Sequence, residues 1–79
     1  MITTGTLCRT KSHILYDHVN LLCEVISTYN KRDIDYECPE SVAIIPMVKA
    51  VYLSGENQGK VFRVSRKAFS HRWEVVRDD

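Results

Sequence analysis

The chain has no long apolar run, little glycine or proline, no closely spaced cysteines and almost no net charge. Each shortage removes a class of protein. The longest apolar stretch is Val42-Ala43-Ile44-Ile45, continued by Pro46-Met47-Val48. That is far short of the roughly 20 residues a helical bilayer crossing needs. The opening Met1-Ile2-Thr3-Thr4-Gly5 lacks the basic and then apolar regions of a secretory signal. The expectation is a soluble, cytoplasmic chain with no membrane partner. Cys8, Cys23 and Cys38 are an odd number with a spacing of 15, which favours free thiols over a disulfide framework. No CxxC pair occurs, and His13, His18 and His71 could complete a four-ligand set only by accident of folding, so no metal and no cofactor is expected. Lys plus Arg total 11 against 10 for Asp plus Glu, so overall charge favours neither nucleic acid nor a membrane surface.

What remains is ordinary globular composition in a small package. The 79 residues, 44% apolar and 27% charged, form one domain spanning 1–79. A chain of this size buries only about 60–65% of the surface its unfolded form exposes, which excludes a two-domain enzyme and a repeat array.

The hydrophobic period is two rather than 3.6. Val19, Leu21, Cys23 and Val25 alternate with Asn20, Leu22, Glu24 and Ile26, and Thr28-Tyr29 extends the run. Both faces are apolar, so residues 19–29 read as a long, well-buried strand. A helical alternative for 14–27 rests on Ile14, Leu15, Val19, Leu22 and Ile26, but it would end on β-branched residues without a cap. In residues 42–53, Ile44, Val48, Ala50 and Tyr52 share one face, with Ile45, Met47, Val51 and Leu53 on the other. Pro46 cannot donate to a ladder, so it belongs at an edge or a bulge. Further strands are expected at 5–9, 60–65 and 71–76. The cluster Ser54-Gly55-Glu56-Asn57-Gln58-Gly59 turns a hairpin of about 47–65. Residues 10–17 and the charged stretch 30–40 read as loops. Residues 66–70 fit a single 3₁₀ turn that tucks Phe69 inward.

This order of elements resembles the SH3-like barrel. The part most similar to it runs from Tyr52-Leu53-Ser54-Gly55 through Gly59-Lys60-Val61-Phe62-Arg63-Val64 to Lys67-Ala68-Phe69. The resemblance implies an all-β, five-stranded barrel whose 3₁₀ turn plugs one end. It does not extend to the peptide-binding motifs of that family. No Ala-Leu-Tyr-Asp-Tyr opening, Trp-Trp pair or Pro-x-x-Tyr stretch is present, although Tyr16-Asp17 is a faint echo. Gly59-Lys60-Val61 is similar to the glycine turn of KOW-type barrels. In size and architecture the chain also resembles small bacteriophage accessory proteins.

No catalytic constellation stands out. Gly55-Glu56-Asn57-Gln58-Gly59-Lys60 is not a phosphate loop, because its glycines are too close and a strand rather than a helix follows. Asp33, Asp35, Glu37 and Glu40 lack the glycine turn and the ligand spacing of a calcium loop. Between 60 and 72, Lys60, Arg63, Arg66, Lys67 and Arg72 accumulate without an acid.

The leading expectation is a non-catalytic regulatory module that binds a partner protein through loops 10–17 and 30–40. Its contact residues would be Tyr16, Asp17, Asp33, Asp35, Tyr36 and Glu37. The alternative is a nucleic-acid-binding barrel in which Lys60, Arg63, Arg66, Lys67 and Arg72 contact phosphates, with Tyr52 and Trp73 available for stacking. A solvated strand face would account for the same cations. The expected state is a monomer or a weak homodimer.

Overall fold

The computed structural model describes residues 2–11, 21–34, 37, 38, 40 and 42–77. Its elements are β1 (Leu7–Thr10), β2 (Leu22–Ile34), β3 (Val42–Tyr52), β4 (Val61–Ser65), α1 (Arg66–Arg72) and β5 (Trp73–Arg77). The five strands form one sheet in the order β4-β3-β2-β1-β5, antiparallel throughout. The all-β class follows from the period-two runs.

The expected barrel does not close. β4 and β5 are the two edges of an open sheet, with no ladder between them. Side chains and α1 span the gap instead. Phe69, from the middle of α1, is buried and stacks on Trp73 at 5.9 Å between ring centroids. Phe62 of β4 lies 5.7 Å from Trp73 and 4.5 Å from Tyr52. These rings seal one face of the sheet, over the fully buried Cys8, Cys23, Val25, Val48 and Ala50.

The segment expected as a 3₁₀ turn is a seven-residue α-helix. Ser65 explains the difference, because its side chain accepts a hydrogen bond from the Ala68 N–H and caps the first turn. The inward position of Phe69 is as expected. At the far end the Trp73 N–H donates to the Phe69 carbonyl, and the chain passes directly into β5.

Two further corrections concern β2. Residues 30–34, read as part of a loop, are strand, and they pair with 42–46 of β3. Nor is β2 buried along its length, since every residue from Thr28 onward is exposed. The register explains this. β1 pairs with β2 only at Leu22, Cys23 and Glu24, and β4 pairs with β3 only from Met47 to Val51. β2 bulges between Val25 and Ser27, and beyond the Tyr29–Met47 pair β2 and β3 continue alone as a two-stranded ribbon. The molecule measures 44 × 28 × 21 Å and has a radius of gyration of 14.4 Å, against about 12 Å for a compact domain of this length. The ribbon is the excess.

The β3–β4 hairpin is as expected from its glycines. Gly55 sits at φ +82°, and a Cβ there would come within 2.7 Å of a Leu21 methyl. Gly59 sits at φ +88° with open space around it. Gly59→Ala is therefore expected to cost about 1 kcal/mol from the backbone alone. Gly55→Ala should cost more, because Leu21 must also move. Paired urea melts of the two variants check the difference.

Candidate docking edge beside the helix

The ribbon leaves two strand edges open among the described residues, that of β2, which carries Lys31, Arg32 and Asp33, and that of β3, which carries no charge at 42–46. β4 reaches β3 only as far as the Met47–Ser65 pair, so among the described residues 42–46 have no strand on that side. Ladder parity identifies the groups that point outward. The Tyr52 N–H donates to the Lys60 carbonyl, which sends the backbone groups of even-numbered β3 residues toward β4. The Leu53 N–H donates to the Leu22 carbonyl on the opposite side. Val42 and Ile44 thus present an N–H and a C=O to the open edge. Pro46 presents only its carbonyl, in agreement with the edge position its ring requires.

The side chains here are apolar and solvent-facing. Val42 is 49% exposed, Ile44 61% and Ile34 52%. Alternation puts Arg32, Ile34, Val42, Ile44 and Pro46 on the face that carries Val48 of the core. At the base of the ribbon a groove of about 510 Å³ is lined by Ile44, Ile45, Pro46, Ser65, Arg66, Lys67 and Ser70. Its floor is β3 and its cationic wall is the first turn of α1. Those cations sit where a helix dipole disfavours positive charge. Arg66 is partly compensated by donating from Nη2 to the Ile2 carbonyl at 3.0 Å. A second hollow on the other flank of α1 is lined by Lys11, Lys67, Ala68 and His71, with Lys11 Nζ donating to the Ser70 carbonyl.

Charge guards the remaining edges. β5 carries Glu74 and Arg77, and β4 carries Arg63. Residues 42–45 carry none, and an uncharged apolar edge is the usual template for strand addition.

The sequence-based candidates are scattered. Asp33 lies in β2 opposite Ala43, and Glu37 is exposed beyond the end of that strand. Tyr16, Asp17, Asp35 and Tyr36 lie outside the described residues, as does loop 10–17 beyond Lys11. The basic strip divides into three parts. Lys60 closes the hairpin, Arg63 points from the outer face of β4, and Arg66 and Lys67 open α1 while Arg72 ends it. Only Arg66 and Lys67 share the groove. Trp73, a stacking candidate, is 7% exposed and committed to the aromatic cluster. The outer face holds an arrangement that sequence reading missed, with Lys49 of β3 directly opposite Arg63 of β4.

Cys8 and Cys23 face each other across β1 and β2, both buried, while Cys38 is exposed. Burial, with lesser contributions from the charge and hydrogen bond of neighbouring Cys8, pushes the Cys23 thiol up to about 12. At neutral pH it is a packed neutral thiol. The Arg9–Glu74 ion pair at 2.6 Å is exposed and contributes little to stability. Among the described residues no three His, Cys, Asp or Glu side chains gather as a metal site, and no helix is long and apolar enough to cross a membrane. Comparison with known proteins gives no matching family, no matching curated protein and no matching solved structure.

Proposed function

We propose that the protein is a small, non-catalytic interaction module that docks an extended, acidic and apolar segment of a partner protein on the open edge of β3. The observation that carries this reading is the continuation of β3 past the end of β4. It leaves an uncharged Val-Ala-Ile-Ile edge with two free-facing N–H groups beside a groove walled by Arg66 and Lys67. Strand addition supplies affinity through main-chain hydrogen bonds, and the flanking pockets supply selectivity. Here an apolar side chain of the partner enters between Ile44, Pro46 and α1, and an acidic one meets Arg66 or Lys67. The SH3-like order of elements is compatible with such a module, although the surface used differs from a polyproline groove.

Fluorescence anisotropy with a short labelled peptide alternating Glu with Val tests the reading. Saturable binding is expected, weakened about tenfold or more by the double change Arg66→Glu and Lys67→Glu. Replacing Glu by Lys in the peptide should have a similar effect. Equal affinity for the acidic and basic peptides, or none for either, contradicts it.

A second reading rests on Lys49 opposite Arg63. Like charges placed directly opposite are destabilising, and a phosphate backbone would relieve them, with Lys31 and Tyr29 on the same outer face. Its signature is a salt-dependent affinity for short DNA or RNA, lost on Lys49→Glu and unaffected by changes at Ile44.

A further inference from the structure

We infer that the segment docked on the β3 edge is the same edge of a second copy of the chain, giving an isologous dimer with a continuous four-stranded ribbon, β2-β3-β3-β2. This rests on the reading of that edge as a docking edge and names its partner. Three observations point to a second copy.

The first is that the chain itself displays the ligand the groove requires. The tip of the ribbon carries Ile34 and Val42 on the core face and the exposed Glu37 and Glu40 beyond the strand ends, which is acidic and apolar. The base carries Arg66 and Lys67. Two ribbons laid antiparallel bring each acidic tip over the other's basic base, so the charge complementarity is satisfied twice by one two-fold axis.

The second is parity. Outward-facing N–H and C=O groups belong to even-numbered β3 residues, and an antiparallel self-pairing must match even with even. Placing Val42 of one copy opposite Ile44 of the other meets this condition, with Ala43 meeting Ala43 on the axis. Each copy then exchanges the Val42 and Ile44 N–H and C=O groups with its neighbour, and the absent N–H of Pro46 is not needed.

The third is the stop. In this register the pairing of each copy begins at Val42, the first residue of β3, and ends at Ile44 of the other, short of Met47, where Ser65 of β4 takes over the edge. Moving the axis to Ile44 keeps the same parity but sets Val42 opposite Pro46, which has no N–H to donate. Small Ala43 suits the close approach on the axis.

Sedimentation equilibrium of the full chain over a wide concentration range tests this. The expected result is a concentration-dependent rise from 9.1 kDa to twice that mass. Ile44→Lys changes a side chain that is 61% exposed, so the fold is retained while the dimer weakens by at least about tenfold. The decisive pair is a charge exchange. Variant one, Arg66→Glu with Lys67→Glu, has an acidic base and an acidic tip. Variant two, Glu37→Lys with Glu40→Lys, has both basic. Each alone is expected to be monomeric, and an equimolar mixture should associate to the double mass.

A chain that stays monomeric at every concentration overturns the dimer. If that monomer still binds the alternating Glu–Val peptide through Arg66 and Lys67, the docking edge stands and only the second copy falls. If it binds neither, both readings fall. A dimer indifferent to Ile44→Lys and to the charge exchange uses another surface and also overturns the proposal. So does association that appears only with added DNA or RNA.

Discussion

Phe69→Ala is expected to cost about 3–5 kcal/mol and to leave the chain largely unfolded at room temperature. Phe69 is the largest fully buried side chain among the described residues, and its ring stacks on Trp73 at 5.9 Å and on Phe62 at 6.5 Å. Because the sheet is open, this ring does what a closing ladder would do in a barrel, tying β4 to β5 through α1. A small domain has a total stability near the low end of about 5–15 kcal/mol, so one such cavity removes most of it. Urea denaturation followed by circular dichroism measures the loss, and Phe69→Leu should recover much of it by refilling volume. Retention of wild-type stability by Phe69→Ala would mean that α1 is not part of the core. Ile44→Lys supplies the contrast, since no core contact is lost there, and a change within about 0.5 kcal/mol is expected.

Thiol chemistry gives the second large effect. In the folded chain Cys38 is expected to react with a thiol reagent at once, with Cys8 and Cys23 slower by about 10³-fold or more. Both are fully buried, so they react only through opening events whose free energy approaches that of global unfolding. Denaturant should expose all three. The same burial sets a pH dependence. The Cys23 thiol titrates near 12 in the folded chain, against an ordinary value of 9.0. The native state therefore holds its proton over an interval in which the unfolded chain has released it. Stability from this source is complete below about pH 9 and is lost as pH rises toward about 12, the direction linkage requires when the native state binds more protons. A stability that rose with alkaline pH would contradict the packing of Cys8 against Cys23.

The class of fold was legible because alternation is a short-range signal. The runs at 19–29, 42–53, 60–65 and 71–76 each keep apolar residues on one face, and each overlaps a strand. Gly55 and Gly59 marked the hairpin because their positive φ values require glycine. Register was not legible. Whether Asn30-Lys31-Arg32-Asp33-Ile34 is loop or strand depends on a partner at 42–46, a long-range pairing that local composition does not encode. Closure failed to show for the same reason, because whether β4 meets β5 is decided by how far α1 spans. Ser65 was the missed local signal. A serine at the end of a strand, three residues before Ala68, is a helix cap, and it turns the expected 3₁₀ turn into a helix.

The docking edge was half visible. Pro46 marked an edge, and the uncharged stretch from Val42 to Ile45 lies just before it. Only the pairing limits of β4, which ends at Met47–Ser65, reveal that this edge is open and lies beside Arg66 and Lys67. The acids were visible as a cluster in the sequence, but their place at the far end of a projecting ribbon was not.

The measurement closest to the central claim is residue-resolved amide NMR of the folded chain, recorded as concentration is raised and as the alternating Glu–Val peptide is added. The outward-facing amides of Val42 and Ile44 should shift most and gain protection from exchange. Those of Ala43 and Ile45, bonded inward to β2, should change little. Changes centred instead on Lys49 and Arg63 of the outer face, or none at Val42 and Ile44 under either condition, would contradict a docking edge on β3.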